Sequence, residues 1–177
     1  MYSISRKTFL TLLLFCAGIK SKIKTFYFSE SETKTVTSFA EVVLPIGETG
    51  MPNLEEASVM RRLDEELYFV SDEIQEDFRS AVLVLEYLPF FYGRFRCFSN
   101  LEPEERIRLL EIWAETDSDT VRAVVGNLKL LVCLVYYGHK STWELISYPG
   151  PFANPPEKWS EARLHYQNLL KGNLGKI

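Results

Sequence analysis

The sequence predicts an all-α fold, a compact multi-helix domain with a signal-like helix at its N terminus and an irregular C-terminal tail. Apolar residues recur three and four positions apart along most of the chain, which is the spacing of one face of an α-helix. No segment alternates apolar and polar residues over a convincing length, as a half-buried strand would, and no internal repeat is present. The 177 residues, 46% of them apolar, are enough for one domain with a real core and a terminal extension.

Three segments follow from the composition. Residues 1–34 are assigned to an export signal and a linker rich in Ser, Thr and Lys, residues 35–152 to the helical domain, and residues 153–177 to the tail. The first helix of the domain is predicted to begin near Val36 and to stop at Pro45, which cannot continue it. Two Gly and two Pro in the loop that follows predict a rigid, non-helical connection.

The next two helices are predicted from apolar spacing and capping residues. Asn53 is suited to an N-cap, and Glu55 and Glu56 would occupy the first turn, where the helix dipole favours acids. The apolar face of this helix consists of Leu54, Ala57, Met60, Leu63, Leu67 and Val70. A restart at residues 71–73 leads to a second helix or to a bent continuation of the first, which ends at Pro89. Its apolar face consists of Ile74, Phe78, Ala81, Val82, Leu85 and Leu88.

Aromatic and basic residues alternate in residues 90–98. Such a segment could stack nucleobases, but a chain with a net charge of -4 lacks the basic surface that phosphate binding needs. We therefore expect no nucleic-acid partner. The segment is predicted to be a loop whose rings pack on the core and whose arginines reach the solvent.

Two further helices follow this loop. Pro103 is suited to the first turn of one of them, whose apolar face holds Trp113. Residues 121–137 are apolar on nearly every side, so we expect them to form the central and most buried helix. Their apolar run is predicted to be too short to span a membrane. The tail is rich in proline and then weakly amphipathic over residues 159–170.

The N terminus has the pattern of an export signal, a short basic region followed by an apolar run. The residues that carry this pattern are Ser5, Arg6, Lys7, Phe9 and Leu10, which are similar to a twin-arginine signal with Lys at the second Arg position. A lipoprotein signal at Cys16 is disfavoured because Phe15 precedes it, where a small residue is expected. The remaining alternative is an uncleaved amphipathic helix that docks on a partner.

Motifs of common catalytic sites are absent from the sequence. There is no GxGxxG, GxSxG, HExxH or Walker A motif, and the two histidines, His139 and His165, are too few for a His-rich metal centre. Acidic residues have the spacing of solvated helix faces and not of a catalytic pair; they are Glu55, Glu56, Asp64, Glu65, Glu66, Asp72, Glu73, Glu76 and Asp77. We predict no catalytic, cofactor-binding or metal-binding residue in this chain.

The three cysteines do not have the spacing of a metal or iron–sulfur site. Two arrangements of Cys97 and Cys133 stay open. One is a disulfide between them in an oxidising compartment, and the other is a buried thiol at Cys133.

Residues 135–151 form an aromatic turn that we predict to bind another protein. The apolar helix breaks at Gly138, and the segment stops at two prolines around one glycine. The predicted partner-binding residues are Tyr136, Tyr137, His139, Trp143, Tyr148, Pro149, Gly150 and Pro151. Two alternatives apply here. Trp143 and one of the tyrosines could close the domain's own core, and His139 could cap the end of the helix.

Several of these segments resemble the family named after subunit 3 of gluconate 2-dehydrogenase. The similarity lies in the helix that runs into Leu44-Pro45, in Leu101-x-Pro103-Glu104-Glu105-Arg106, and in Tyr136-Tyr137, Trp143 and Tyr148-Pro149-Gly150-Pro151. It covers residues 39–152. The resemblance implies a helical subunit, frequently with a twin-arginine signal. Its partner would be a large catalytic subunit of the glucose–methanol–choline type, which holds FAD and passes electrons to a cytochrome or another acceptor.

These observations together predict a non-catalytic accessory subunit of a periplasmic FAD-dependent sugar, sugar-acid or polyol dehydrogenase. Its role would be folding, export and assembly of the catalytic subunit, and any membrane association would come through the complex or an uncleaved signal. The alternatives are a free-standing periplasmic helical enzyme that uses Glu and His residues, and a helical module that binds a small apolar ligand.

Overall fold

A computed structural model describes residues 25–151 and 158–172. The described residues are helical with no strand, which confirms the all-α class. The α-helices are α1 (Glu30–Val43), α2 (Val59–Tyr68), α3 (Asp72–Tyr87), α4 (Pro103–Ala114), α5 (Asp119–Tyr137), α6 (Lys140–Trp143) and α7 (Glu161–Leu170). Two 3-10 turns, Leu88–Tyr92 and Phe98–Asn100, join α3 to α4. The predicted export signal lies outside the described residues.

Helix α1 begins earlier than the sequence periodicity predicted. Ser29 and Glu32 form a capping box: the Ser29 side chain accepts from the Glu32 amide, and the Glu32 carboxylate accepts from the Ser29 amide at 2.7 Å. Residues 30–34 are therefore helix, and Tyr27 and Phe28 are buried before it. The assignment of these residues to a polar linker is wrong. Apolar periodicity alone placed the start too late, because the first turn of α1 is polar in sequence.

Asn53 caps a turn, but the helix starts later than predicted. Its Oδ1 atom accepts from the backbone amides of Glu55 and Glu56, both at 2.9 Å. The chain then passes through Ser58, whose φ of 51° is left-handed, and α2 begins at Val59. The Asx turn and the helix are thus separate local structures.

The predicted central helix, α5, is not the most buried one. Only five of its 19 residues are buried, whereas α1 has six of 14. Leu130 is 67% exposed and Leu134 66%. Helix α5 packs against α1, α2, α3, α4 and α6 but is covered on one side only. By length and composition this helix could also cross a membrane, a property shared by core helices of soluble proteins. The prediction that it is too short therefore does not hold.

The C-terminal tail contains a helix that packs on the domain. Tyr166 of α7 is completely buried, and its hydroxyl donates to the Asp64 carboxylate of α2 at 2.7 Å. Arg163 donates to Glu65 at 2.8 Å beside it. The tail is therefore not irregular throughout, because α7 has a capped start at Ser160 and a buried tyrosine.

Asp64 joins this tail to the segment that precedes α1. Its carboxylate also accepts the backbone amides of Phe26, Tyr27 and Phe28, at 2.8, 3.0 and 3.0 Å. Asp64 is completely buried and Glu65 nearly so. Both were expected on a solvated helix face, and that expectation is wrong for them. Their side chains are inside because α2 is covered by the N-terminal segment and by α7.

A second buried carboxylate, Glu86 of α3, connects α3 to α1 and to the second 3-10 turn. It accepts the hydroxyl of Thr35 at 3.0 Å, and the amide and hydroxyl of Ser99 at 3.0 and 2.7 Å. Burial raises the pKa of this carboxyl, and the donated hydrogen bonds oppose that rise. Glu86 is therefore a structural acid whose acceptor positions are already occupied.

Cys133 keeps a free, half-buried thiol, so the Cys97–Cys133 disulfide does not form. Burial raises the pKa of this thiol. A thiol that stays protonated is a poor nucleophile and metal ligand. Of the two alternatives the free thiol is the one that the structure shows, but the thiol is only half-buried.

Candidate protein-binding surface

The aromatic turn starts where α5 ends, and it is fixed there by side chains that cap the last carbonyl groups. The buried Thr142 hydroxyl lies 2.7 Å from the carbonyl oxygen of His139 and 3.1 Å from that of Tyr137. Arg62 of α2 donates to the carbonyl of Val135. These groups satisfy carbonyls that have no partner within the helix. The turn is therefore a built structure and not a frayed helix end.

Tyr136 belongs to the core and not to the surface. It is completely buried, and its hydroxyl donates to the carbonyl of Pro52 at 2.7 Å. Tyr137 is half-buried and packs edge-to-face on Tyr136, with ring centroids 5.2 Å apart. The prediction that Tyr136 faces a partner is therefore wrong, because the side chain fills space between α5 and the loop before α2.

His139 caps α6, not the C terminus of α5. Its Nδ1 atom accepts the Ser141 amide at 3.3 Å and lies 2.7 Å from the Ser141 hydroxyl. Burial lowers the pKa of His139, and Arg62 and Lys140 nearby lower it further. The neutral ring is the form that can accept the amide proton. This side chain has a local structural role.

The second half of the turn wraps around the Trp143 indole. The Trp143 and Tyr148 rings meet edge-to-face with centroids 5.5 Å apart, and the Tyr148 amide donates to the Trp143 carbonyl at 2.8 Å. Gly150 has a φ of +104°, and a Cβ there would lie 3.4 Å from the indole. The positive φ therefore favours glycine at this position, and a Cβ there would be in van der Waals contact with the indole. Pro149 and Pro151 on either side are exposed.

An apolar edge remains exposed on this turn. We define the turn edge as Leu145, Ile146 and Tyr148, which are 44%, 45% and 37% exposed. A Cβ on Gly50 would lie 3.5 Å from Leu145, so the edge adjoins the loop between α1 and α2. Leu145 and Ile146 were not among the predicted residues. The sequence shows them as two adjacent aliphatic residues in a short turn. They were overlooked because the interface was assigned to the aromatic residues on either side of them.

A second apolar concavity lies between α3 and α5. This α3/α5 groove has a volume of about 340 Å³ and a mainly apolar lining that includes Ile74, Phe78, Leu130 and Leu134. Its one acidic lining residue is Asp77. The groove exists because α5 is uncovered on this side.

The described residues hold no group of three or more His, Cys, Asp or Glu side chains placed to bind a metal ion. The buried carboxylates Asp64 and Glu86 are each surrounded by hydrogen-bond donors of the protein itself. His165 of α7 stacks on Tyr68, with centroids 6.5 Å apart. These side chains are explained by packing and by hydrogen bonds within the fold.

Comparison with known proteins found no relative: no family model, curated protein or solved structure is significantly similar to the chain.

Proposed function

We propose that this chain is a non-catalytic accessory subunit that holds a larger protein through the turn edge. The observation that supports this proposal best is that Leu145, Ile146 and Tyr148 stay exposed on a turn whose backbone is fixed on all sides. A rigid surface loses little entropy on binding. Tyrosine is also enriched among the residues that dominate interface energies.

The partner class in this proposal is a periplasmic FAD-dependent dehydrogenase of the glucose–methanol–choline type. It rests on the sequence resemblance in the Leu44-Pro45, Pro103 and Tyr148–Pro151 segments, of which the last forms part of the exposed turn. In this arrangement the partner binds FAD and oxidises a sugar, sugar acid or polyol. The present chain supports folding, export and assembly, and a cytochrome or another acceptor outside this chain would take the electrons.

The test is co-expression with a large flavoprotein whose gene neighbours that of this chain and carries a Rossmann-type glycine fingerprint. We expect a stable complex that contains FAD, while the chain purified alone shows no flavin absorbance. A stoichiometric flavin on the isolated chain would contradict the accessory role. If the flavoprotein folds, exports and works equally well without this chain, the proposal also fails.

Export supplies an independent test. Replacing Arg6 and Lys7 by Gln should leave both this chain and a partner without its own signal in the cytoplasm, if a twin-arginine signal carries a folded complex. Normal periplasmic accumulation of both proteins after that change would refute the twin-arginine assignment. That result would not test the proposal that the turn edge is a binding surface.

A second candidate function is the binding of a small apolar ligand in the α3/α5 groove. Its size and apolar lining support this candidate, since ligand sites commonly occupy concavities of about 300 to 1,000 Å³. Thermal shift measurements with apolar compounds would test it, with Leu131→Ser as the variant that makes the groove polar. Stabilisation that is lost in this variant would favour ligand binding over the accessory role.

A further inference from the structure

The loop between α3 and α4 carries the two most exposed large apolar side chains of the described residues. Phe91 is 78% exposed and Phe95 is 91% exposed. The sequence predicts that the rings of this segment pack on the core, and for Phe91 and Phe95 that prediction is wrong. An exposed apolar group is unfavourable in water, and two on one short loop indicate contact with an apolar environment.

The exposure of these rings is fixed by the structure of the loop. Tyr92, between them, packs edge-to-face on the buried Trp113 with centroids 5.9 Å apart. The Arg94 amide donates to the carbonyl of the buried Pro89 at 3.0 Å. Gly93 turns the chain with a φ of +73°. The base of the loop is therefore anchored on the core, and its geometry directs Phe91 and Phe95 outward.

Two arginines flank the outermost ring. Arg94 lies 3.9 Å from the Glu105 carboxylate and its side chain is 40% exposed. Arg96 is exposed, and no carboxylate among the described residues lies within 4.0 Å of it. The whole chain has a net charge of -4, so the positive charge is a local property of this loop. Arg96 is therefore available to external anions, and Arg94 is engaged only by the contact with Glu105 at 3.9 Å.

We propose that this loop inserts into the surface of a bilayer that contains anionic phospholipid. Phe91 and Phe95 would enter the boundary between headgroups and acyl chains, and Arg94 and Arg96 would bind the headgroup phosphates. A protein partner would need a concave site for two protruding rings, whereas a bilayer accepts a convex tip directly. This inference is independent of the accessory role, because it concerns a different surface.

Vesicle flotation of the full chain measures this binding. The vesicles are phosphatidylcholine alone, or phosphatidylcholine with one quarter phosphatidylglycerol. Phe91→Ser with Phe95→Ser should lower partitioning by roughly tenfold for each ring, given the free energy of burying a Phe side chain. Arg94→Gln with Arg96→Gln should lower it by about fivefold for each cation on the anionic vesicles only. The apolar N-terminal segment is common to all variants and cannot produce these differences.

A local readout separates the loop from every other apolar surface. We expect the fluorescence of Phe95→Trp to be quenched by lipids with brominated acyl chains, beyond the quenching of the native tryptophans. The matched control is Phe69→Trp. Phe69 is half-exposed and lies before the start of α3, whereas the loop with Phe95 lies after the end of that helix. The 16 residues of α3 separate the two sites by about 24 Å. Quenching at Phe69→Trp and not at Phe95→Trp would overturn the proposal.

Two other results would also overturn it. Leu130→Ser, on the exposed face of α5, should leave partitioning unchanged; a loss as large as that of the double Phe variant would assign membrane contact to α5. If the double Phe variant binds vesicles normally but no longer assembles with a co-expressed flavoprotein, the loop is a protein contact. Circular dichroism and melting of each variant establish that it is folded before these comparisons are made.

Discussion

Removing one hydroxyl, in Tyr166→Phe, tests whether α7 is part of the folded domain. The Tyr166 side chain is completely buried, and among the described residues its hydroxyl has one partner, the Asp64 carboxylate at 2.7 Å. Phenylalanine keeps the ring and its edge-to-face contact with Phe26 at 5.6 Å. The substitution therefore removes the hydrogen bond and little of the packing.

The expected loss of stability follows from what remains around Asp64. A hydrogen bond to a charged group contributes about 1.5 to 3 kcal/mol. Asp64 keeps its three backbone donors, at 2.8, 3.0 and 3.0 Å, so no unpaired buried carboxylate results. We expect a decrease of the free energy of unfolding by about 1.5 to 3 kcal/mol, a large fraction of the 5 to 15 kcal/mol typical of a domain.

Urea unfolding measures this effect through the midpoint at an unchanged slope. The control is Tyr68→Phe, which removes a hydroxyl from a neighbouring ring that has no hydrogen bond among the described residues. Tyr68→Phe should change stability by less than about 0.5 kcal/mol. If both substitutions have the same small effect, then α7 is not held to the domain through Asp64, and the packing described for the tail is wrong.

Three further substitutions test the buried acid and the aromatic turn. Glu86→Gln should stabilise the protein at neutral pH but not in acid. Burial raises the pKa of Glu86 in the folded state, so the folded protein carries the unfavourable buried charge only when the pH is above that pKa. Equal melting curves for both proteins from acid to neutral pH would refute this prediction. Tyr148→Ala should weaken assembly with the flavoprotein by about 2 kcal/mol, with a smaller loss of stability because its ring packs edge-to-face on Trp143. A large loss of stability with unchanged assembly would assign the ring to the core. Gly150→Ala should destabilise the chain by about 1 to 3 kcal/mol because its φ is +104°. Gly47→Ala, at a φ of +87°, should have an effect of similar size, because the Cβ added at Gly150 meets Trp143 only at van der Waals distance. Unchanged melting temperatures in both variants would refute the argument from φ.

Helix boundaries were predicted best where a local signal fixes them. Pro103 at the start of α4 and Pro89 after α3 act through their own rings and missing amide protons, without help from distant residues. The start of α1 had an equally local signal, the Ser29 and Glu32 capping box. It was missed because the apolar period begins only one turn later. Capping residues are thus a better guide to the start of a helix than the spacing of its apolar residues.

Burial could not be predicted in the same way, because it depends on which faces other elements cover. Asp64 looks like a surface residue in a charged stretch, yet it accepts amides 36 to 38 positions away in the sequence. Leu130 lies in an apolar helix, yet it is two-thirds exposed because none of the described helices packs on that side of α5. In both cases residues far away in the chain determine whether the side chain is buried. The composition of the local segment contains no information about those residues.

Exposure also decides which aromatic residue can report on binding. Tyr136 is buried and its hydroxyl pairs with the Pro52 carbonyl, so its truncation would remove core packing and one hydrogen bond together. A loss of assembly in Tyr136→Ala would therefore report partial unfolding. Tyr148 is 37% exposed and its hydroxyl makes no hydrogen bond within the described residues. A change at Tyr148 can therefore lower the affinity for a partner while the fold stays intact, and the same holds for Leu145 and Ile146, the other two residues of the turn edge.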